Sequence, residues 1–138
     1  MTDSSPKKPQ DVETLDAEHR LQVELLDALI AAAQSGRDDD HTDELMQRLR
    51  DVSEAHFLSE DLLMRLHAYP DHAAHVAEHE EMTALLDSIR SAADEPDVDR
   101  LTELRQRFVH HIFDKDERLE KFLDSPGRND GLSAPEIT

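Results

Sequence analysis

Along most of this chain, apolar residues recur three and four positions apart in four segments, which predicts four amphipathic α-helices. Seven positions in the apolar seams of these helices carry histidine or carboxylate side chains instead of Leu or Val. They are His19, His56, Glu60, His75, His79, His111 and Asp116. Burying so many polar groups without partners would cost roughly several kcal/mol each. A bundle of these helices must therefore neutralise them, and bound metal is the simplest means.

The expected helix bounds follow from capping and helix-breaking residues. Thr42 and Asp71 are the expected N-caps of the second and third helices, and Gly36 is expected to end the first. Tyr69-Pro70 and residues 94–96 interrupt the apolar pattern. We expect the first helix at about residues 11–35 and the fourth at about residues 97–123. The second is expected to follow Thr42 as far as Tyr69-Pro70, with Leu63 in its inward seam, and the third to follow Asp71 as far as residues 94–96. The short connections predict an antiparallel, up-down-up-down bundle.

Composition supports a single all-α domain. The 138 residues include only three glycines, and Ala, Leu, Glu, Asp and Arg dominate, without a segment rich in Val, Ile and Thr. This length suits one domain with a real core. We expect the bundle to span residues 11–124, and the polar tails, residues 1–10 and 125–138, to be disordered.

Charge and amino-acid usage narrow the possible partners. A formal net charge of −18 argues against nucleic acid, since phosphate binding needs clustered Lys and Arg. No run of about 20 apolar residues is present to span a bilayer, and residues 1–10 do not resemble a secretory signal, so we expect a cytoplasmic protein. The absence of Cys excludes thiolate sites, which leaves histidine and carboxylate as metal ligands.

The spacing of the seven polar residues suits metal binding. His56 with Glu60, and His75 with His79, are four positions apart, so each pair can converge on one ion. One further histidine comes from each of the other two helices. Seven ligands are too many for one tetrahedral ion, and two ions bridged by the two carboxylates account for them better. Imidazole and carboxylate suit iron, zinc, manganese or cobalt, so ligand type does not select the metal.

The position of the last carboxylate is open at this point. Asp116 follows His111 by five residues, which is roughly 140° around an ideal α-helix. Asp114, three residues after His111, is therefore a competitor. A local widening of the helix into a π-bulge would bring Asp116 inward.

The order of these motifs closely resembles the hemerythrin family, and in particular its single-domain bacterial members, the bacteriohemerythrins. The resemblance covers about residues 12–123. It lies in His19, His56-Phe57-Leu58-Ser59-Glu60, Tyr69-Pro70 followed by His75 and His79, and His111-Ile112 followed by Asp116. The family fold is an antiparallel four-helix bundle around a non-haem di-iron centre, and the topology expected from periodicity agrees with it.

The resemblance implies two iron ions joined by an oxo or hydroxo bridge. The implied ligands are His75, His79 and His111 for one iron, His19 and His56 for the other, and the bridging carboxylates Glu60 and Asp116 for both. The second iron then has an open position, where members of the family bind molecular oxygen. Phe57, Phe108 and Ile112 are the expected wall of a dry oxygen pocket.

The expected function is therefore reversible binding of molecular oxygen, as a carrier, store or scavenger, by a monomer or a weak homo-oligomer. Reduction of peroxide or nitric oxide, or sensing of oxygen or iron, remain alternatives for the same centre. Many bacterial members carry Trp four residues before the fourth-helix histidine, where this chain has Arg107. An arginine there could admit water, attract anions or point to solvent.

Four other side chains on or near the seams have less specific expected roles. His67 and His72 lie beside Tyr69-Pro70, where a partly solvated structural role is favoured over a gate, a proton path or an accessory metal site. Met64 and Met82 are expected to fill the core rather than to bind metal.

Overall fold

The computed structural model describes residues 16–35, 40–91 and 97–124, which are almost entirely helical and contain no strand. The helices are α1 (Ala17–Gln34), α2 (Asp40–Leu66), α3 (His72–Ser91), α4 (Val98–His111) and α5 (Glu117–Leu123). A π-helical turn, Ile112–Asp116, joins α4 to α5, so that the two form the fourth long helix of the molecule. The prediction of an all-α fold with four helices is confirmed. None of the described helices has both the length and the apolar character needed to cross a membrane.

The helices form an antiparallel ring in which α1 and α3 each pack against α2 and α4. Contacts between α2 and α3 show the direction of the chain. Arg50 near the start of α2 binds Asp87 near the end of α3 at 2.9 Å, whereas Asp61 near the end of α2 contacts His72 at the start of α3 at 2.6 Å. The expected up-down-up-down topology is therefore confirmed.

The buried side chains form two apolar clusters of unequal size. The larger one fills the half of the bundle that contains Leu26, Leu49, Leu86 and Leu104, each at most 1% exposed. The smaller one lies toward the other end and consists of Met64, Tyr69 and Leu119, with Val76, Phe122 and Leu123 packed against it. The seven polar residues of the seams lie between these clusters in helical register. Met64 and Met82 are buried in the core, as expected.

Helix starts agree with the sequence at two places and differ at two. The first helix was expected from about residue 11, but α1 begins at Ala17, because the Asp16 side chain caps it by accepting a hydrogen bond from the backbone N–H of His19. Asp97 caps α4 by accepting a hydrogen bond from the backbone N–H of Asp99 at 2.8 Å, and the carbonyl of Asp71 accepts the first helical bond of α3 from His75 at 3.0 Å. The prediction that Thr42 caps α2 is wrong. The helix begins at Asp40, and Thr42 is 1% exposed inside it, because its position faces the core.

Two further expectations concern α2 and the chain ends. Leu63 was expected in the inward seam, but it is 38% exposed, and Met64 lies there instead. The reason is geometric. Met64, four residues after Glu60, lies about 40° from it around the helix axis, whereas Leu63, three residues after Glu60, lies about 60° from it on the other side. The expected breaks at Gly36 and residues 94–96, and the tails at residues 1–10 and 125–138, lie outside the described residues.

Candidate metal centre

Four of the seven predicted residues form two pairs on neighbouring helices. His56 and Glu60 lie on the inner face of α2, and His75 and His79 lie on the inner face of α3, each no more than 7% exposed. Within each pair the side chains are one helical turn apart. His75 Nε2 lies 3.1 Å from Glu60 Oε1, and His79 Nε2 lies 3.0 Å from the same oxygen. The two pairs therefore meet at one point.

The other two long helices add one histidine each. His19 on α1 is 3% exposed, and His111 at the end of α4 is 2% exposed. His19 Nε2 lies 2.9 Å from His56 Nε2, and the ring centroid of His111 lies 4.6 Å from that of His75. Side chains from all four helices of the bundle consequently converge.

The π-helical turn brings the second carboxylate into this centre. A π turn contains one residue more than an α turn, so the residue five positions after His111 returns to the same face. Asp116 is 2% exposed, and its Oδ1 lies 3.0 Å from His111 Nε2. Asp114 does not reach the centre and instead pairs with Arg118 at 3.2 Å. Of the two possibilities that the spacing left open, the structure therefore shows the π-helical widening with Asp116.

The two carboxylates divide their oxygens between two groups of histidines. Glu60 Oε1 faces His75 and His79, whereas Glu60 Oε2 lies 3.0 Å from His56 Nε2. Asp116 Oδ1 lies 2.9 Å from His75 Nε2, whereas Asp116 Oδ2 lies 3.0 Å from His19 Nε2. Two overlapping groups result, each with its ligand atoms within 4.8 Å of one another: Glu60, His75, His79, His111 and Asp116, and His19, His56, Glu60 and Asp116.

The hydrogen-bonding state of these atoms fits a metal ion. Three buried atoms at the meeting point, His79 Nε2, His111 Nε2 and Asp116 Oδ1, have no hydrogen-bond partner among the described residues. Their neighbours are close, but the ring nitrogens do not point along hydrogen-bond directions. Buried polar atoms are normally paired. Atoms that converge on one point without pairing are what a cation site requires, and nitrogen with carboxylate oxygen suits a transition metal.

Comparison with known families agrees with this geometry. The family model for the hemerythrin HHE cation-binding domain matches residues 10–123. The chain belongs to the hemerythrin family. A search among curated proteins found no match, and neither did a search among solved structures. Cation binding by a helical protein is thus shown at the level of the family, while the ligand role of each residue, the number of ions and the metal stay predictions.

Electrostatics in this hemerythrin domain favour positive charge at the centre. Burial opposes a charge on His19, but the carboxylates of Asp116 and Glu60 outweigh it and raise the pKa of His19 to about 10. The same balance raises the pKa of His75 to about 9. Burial would raise the pKa of both carboxyl groups, yet the surrounding histidines hold the pKa of Glu60 and of Asp116 below the usual range. Both carboxylates are therefore ionised and attract cations.

Two outer carboxylates contact predicted ligand histidines of the hemerythrin domain on the side away from the centre. Glu18 on α1 contacts His56 Nδ1, and Glu78 on α3 lies 2.7 Å from His111 Nδ1. Each carboxylate would keep a proton on Nδ1 of the histidine that it contacts. The lone pair of Nε2 would then be free to bind a metal ion. Sequence reasoning missed both. The signal was present as the tripeptide Ala-Glu-His, which occurs at residues 17–19 and again at residues 77–79.

Asp16 precedes α1 and lies close to His19. Its Oδ1 accepts a hydrogen bond from the backbone N–H of His19 at 3.0 Å and lies 3.6 Å from His19 Nδ1. Asp16 is thus the N-cap of α1. Its carboxylate lies beyond hydrogen-bond distance of the ring, so its main structural contribution is to the helix start.

The three predicted wall residues lie beside the centre. The ring of Phe57 stacks on that of His79, with centroids 3.9 Å apart and planes 12° apart. Phe108 is 2% exposed, with its centroid 6.1 Å from that of Phe57, and Ile112 is 4% exposed. These positions suit an apolar wall, which stays a prediction.

A groove of about 520 Å³ runs between α2 and α3 and has His79 and Phe57 in its lining. Its rim carries Arg50, Glu54 and Glu80, and Val76 adds to the apolar part of the lining. The stacked Phe57 ring lies where this groove meets the ligand histidine. The groove is therefore an approach from the surface to the centre.

The remaining predicted positions lie away from the centre. Arg107 is exposed on α4 and pairs with Glu103 at 3.3 Å and with Glu81 at 3.8 Å, so of the three expectations for it the structure supports solvent exposure. His72 contacts Asp61, and His67 is half-buried near the end of α2. Both positions suit the structural role favoured for these histidines.

Proposed function

We propose that this hemerythrin-family chain is a non-haem di-iron protein that binds molecular oxygen reversibly, as a carrier, store or scavenger in the cytoplasm. The observation that carries the proposal is the division of the carboxylate oxygens. Glu60 and Asp116 each direct one oxygen toward a group of three histidines and the other toward a group of two. Two positions for metal ions, sharing both carboxylates, account for this arrangement.

The unequal histidine groups support an oxygen-binding role. The position served by His19 and His56 has one protein ligand fewer than the position served by His75, His79 and His111. Two ferrous ions held here would supply two electrons and one open coordination position to an oxygen molecule.

The chain's own residues support that chemistry in two ways. Glu18 and Glu78 hold the His56 and His111 rings with Nε2 toward the centre. Phe57, Phe108 and Ile112 limit access of water, which would otherwise carry protons to the reduced oxygen and promote its loss.

The first test is an optical titration of the ferrous, iron-loaded protein with oxygen under otherwise anaerobic conditions, with iron determined on the same sample. We expect two irons per chain and an absorption band that appears with oxygen and disappears when the oxygen is removed. Glu60→Ala, which removes a shared carboxylate, is expected to lower the iron content and abolish the band. Glu80→Ala, an exposed acid on α3, is the matched control and is expected to change neither.

The groove beside His79 gives a second candidate function, reduction of peroxide or nitric oxide by the same centre. A small reductant or substrate could approach along this groove. Two results together would favour this enzyme and contradict reversible oxygen binding. They are rapid, irreversible oxidation of the centre by oxygen, and steady turnover of peroxide or nitric oxide in the presence of a reductant.

A further inference from the structure

The second half of α2 has a buried inner face and, opposite it, an exposed apolar outer face. Its inner face carries His56, Glu60 and Met64, which belong to the metal centre and the smaller apolar cluster. Its outer face carries Leu58, Leu62 and Leu66, which are 60%, 59% and 72% exposed. A surface helix normally has only one apolar face. The outer leucines therefore need a reason other than the packing of this bundle.

These three residues, here called the leucine stripe, form a continuous surface. They are spaced by four positions, so they run along one side of the helix for about 12 Å. Leu63, at 38% exposed, widens the stripe, and the small exposed residues Ala55 and Ser59 lie beside it and permit close approach. Contiguous exposed apolar surface of this kind marks interaction sites in soluble proteins.

The charge around the stripe is compatible with contact between two copies of this acidic chain. The chain carries a formal charge of −18, so two copies repel each other over most of their surfaces. Residues 55–70 contain only two acidic side chains. Glu60 is buried in the metal centre, and Asp61 is paired with Arg65 and His72 at 2.6 Å each. Residues 55–70 therefore add no exposed, unpaired acidic side chain to the surface that carries the stripe, so local repulsion between two copies is small there.

The spacing of the stripe is self-complementary. A two-fold axis requires that each residue meets its counterpart in reverse order. Leu58 and Leu66 are equidistant from Leu62, so an antiparallel pair of α2 helices would place Leu62 against its own copy and Leu58 against Leu66 of the second copy. We infer that the leucine stripe is a self-association surface through which two copies of this chain form a two-fold dimer.

The dimer is expected to be weak and to respond to salt in an unusual direction. The stripe is small, and interfaces that bury less than about 1,200 Å² in total are typical of transient complexes. Salt screens the repulsion between the two acidic copies within a Debye length of roughly 10 Å at 0.1 M. Added salt should therefore strengthen the dimer, whereas it would weaken association through ion pairs.

Sedimentation equilibrium of the full iron-loaded chain, from low micromolar to millimolar concentration and at low and high salt, tests the inference. We expect reversible dimerisation with a dissociation constant on the order of 100 μM, falling as salt rises. Leu62→Glu places two like charges at the axis and is expected to leave only monomer. Leu21→Glu, at an exposed leucine on α1 (40% exposed), is the control and should leave the dimer intact.

A cross-linking variant gives an independent readout. The chain has no Cys, so Leu62→Cys introduces a single thiol at the proposed axis. Air oxidation is expected to join two Leu62→Cys copies much faster than two Leu21→Cys copies, because a disulfide needs Cα atoms within about 7 Å. Iron content and helical circular dichroism should match the parent in all variants.

Three results would overturn the dimer. One is a parent protein that stays monomeric at every concentration and salt level. Another is a Leu62→Glu variant that associates as well as the Leu21→Glu control, and the third is equal cross-linking by the two thiol variants. None of these results bears on oxygen binding, which is measured separately on dilute protein.

Discussion

At the scale of single residues, the two Glu-His pairs link neighbouring helices to the centre. His19 and His79 point into the centre from their own helices, while the preceding Glu18 and Glu78 reach His56 on α2 and His111 on α4. Adjacent residues on a helix are about 100° apart, so one faces the core and the other faces the adjacent helix. Each pair thus supplies one candidate ligand and orients another.

Glu78→Ala is expected to weaken metal binding without unfolding the protein. It removes the acceptor that holds His111 Nδ1, and loss of such a partner costs roughly 10–100-fold in metal affinity. Competition with a coloured chelator measures the dissociation constant. Glu78→Gln retains a hydrogen-bond acceptor and should therefore lose less metal affinity than Glu78→Ala. Glu81→Ala, at an exposed acid on the same helix, should change affinity little, and equal losses in both alanine variants would refute an orienting role.

Phe57→Ala is expected to shorten the life of the oxygenated protein. The ring covers His79 where the groove meets the centre, so its removal admits water. We expect roughly a tenfold or greater rise in the rate of irreversible oxidation. The decay of the oxygen-dependent absorption band measures this rate. Leu58→Ala, which alters the same groove without a ligand contact, is the control on dilute protein. An unchanged decay rate in Phe57→Ala would show that this ring is not the barrier.

At the scale of helical elements, two irregular turns shape the molecule. The π-helical turn Ile112–Asp116 brings Asp116 onto the face of His111. The end of α2 is a Schellman turn, in which Tyr69 N–H donates to the Met64 carbonyl at 2.9 Å and Ala68 N–H to the Arg65 carbonyl at 3.4 Å. The ring of Tyr69 packs in the same apolar cluster as Met64, which completes this motif.

The Schellman turn predicts a stabilising substitution. Ala68 has a φ of 52°, in the left-handed region that costs a residue with a Cβ roughly 1 kcal/mol or more. Ala68→Gly should therefore raise the free energy of unfolding by about 0.5–1 kcal/mol, after the greater freedom of Gly in the unfolded chain is subtracted. Urea denaturation measures this change in the free energy of unfolding. Ala28→Gly, at an exposed position inside α1, should instead lower stability by about 1 kcal/mol, and a loss in both variants would contradict the prediction.

At the scale of the whole molecule, the metal centre is the layer that joins all four helices. It separates the larger apolar cluster from the smaller one that contains Met64, Tyr69 and Leu119. Each helix contributes at least one side chain to it. A metal ion at this centre therefore links elements that are far apart in sequence, and its binding contributes to the stability of the fold.

Metal removal is expected to lower the melting temperature of the whole bundle. A ligand that binds only the folded state adds about 2.7 kcal/mol at a free concentration 100 times its dissociation constant. Thermal unfolding followed by circular dichroism, with metal and with excess chelator, measures the difference. Glu60→Ala lacks a shared carboxylate and should respond much less to metal. If parent and variant respond equally, the stabilising metal is bound elsewhere.

Local periodicity was enough to predict the bundle and six of the seven polar residues of its centre, while Asp116 followed from the family resemblance. The spacings of three and four and the pairs His56–Glu60 and His75–His79 depend only on the geometry of one helix at a time. A widening before Asp116 was one of two possibilities, the other being Asp114 as the carboxylate, because a spacing of five does not fit an α-helix. These features needed no knowledge of how the helices pack.

Only the tertiary structure decided how each helix is rotated and what its side chains meet. That rotation buries Met64 rather than Leu63, turns Arg107 toward Glu103 and brings Glu18 and Glu78 against histidines of other helices. It also assigns each carboxylate oxygen to one histidine group. The contacts of Glu18 with His56 and of Glu78 with His111 join residues 38 and 33 positions apart, and they depend on packing between helices, which no single segment of sequence contains.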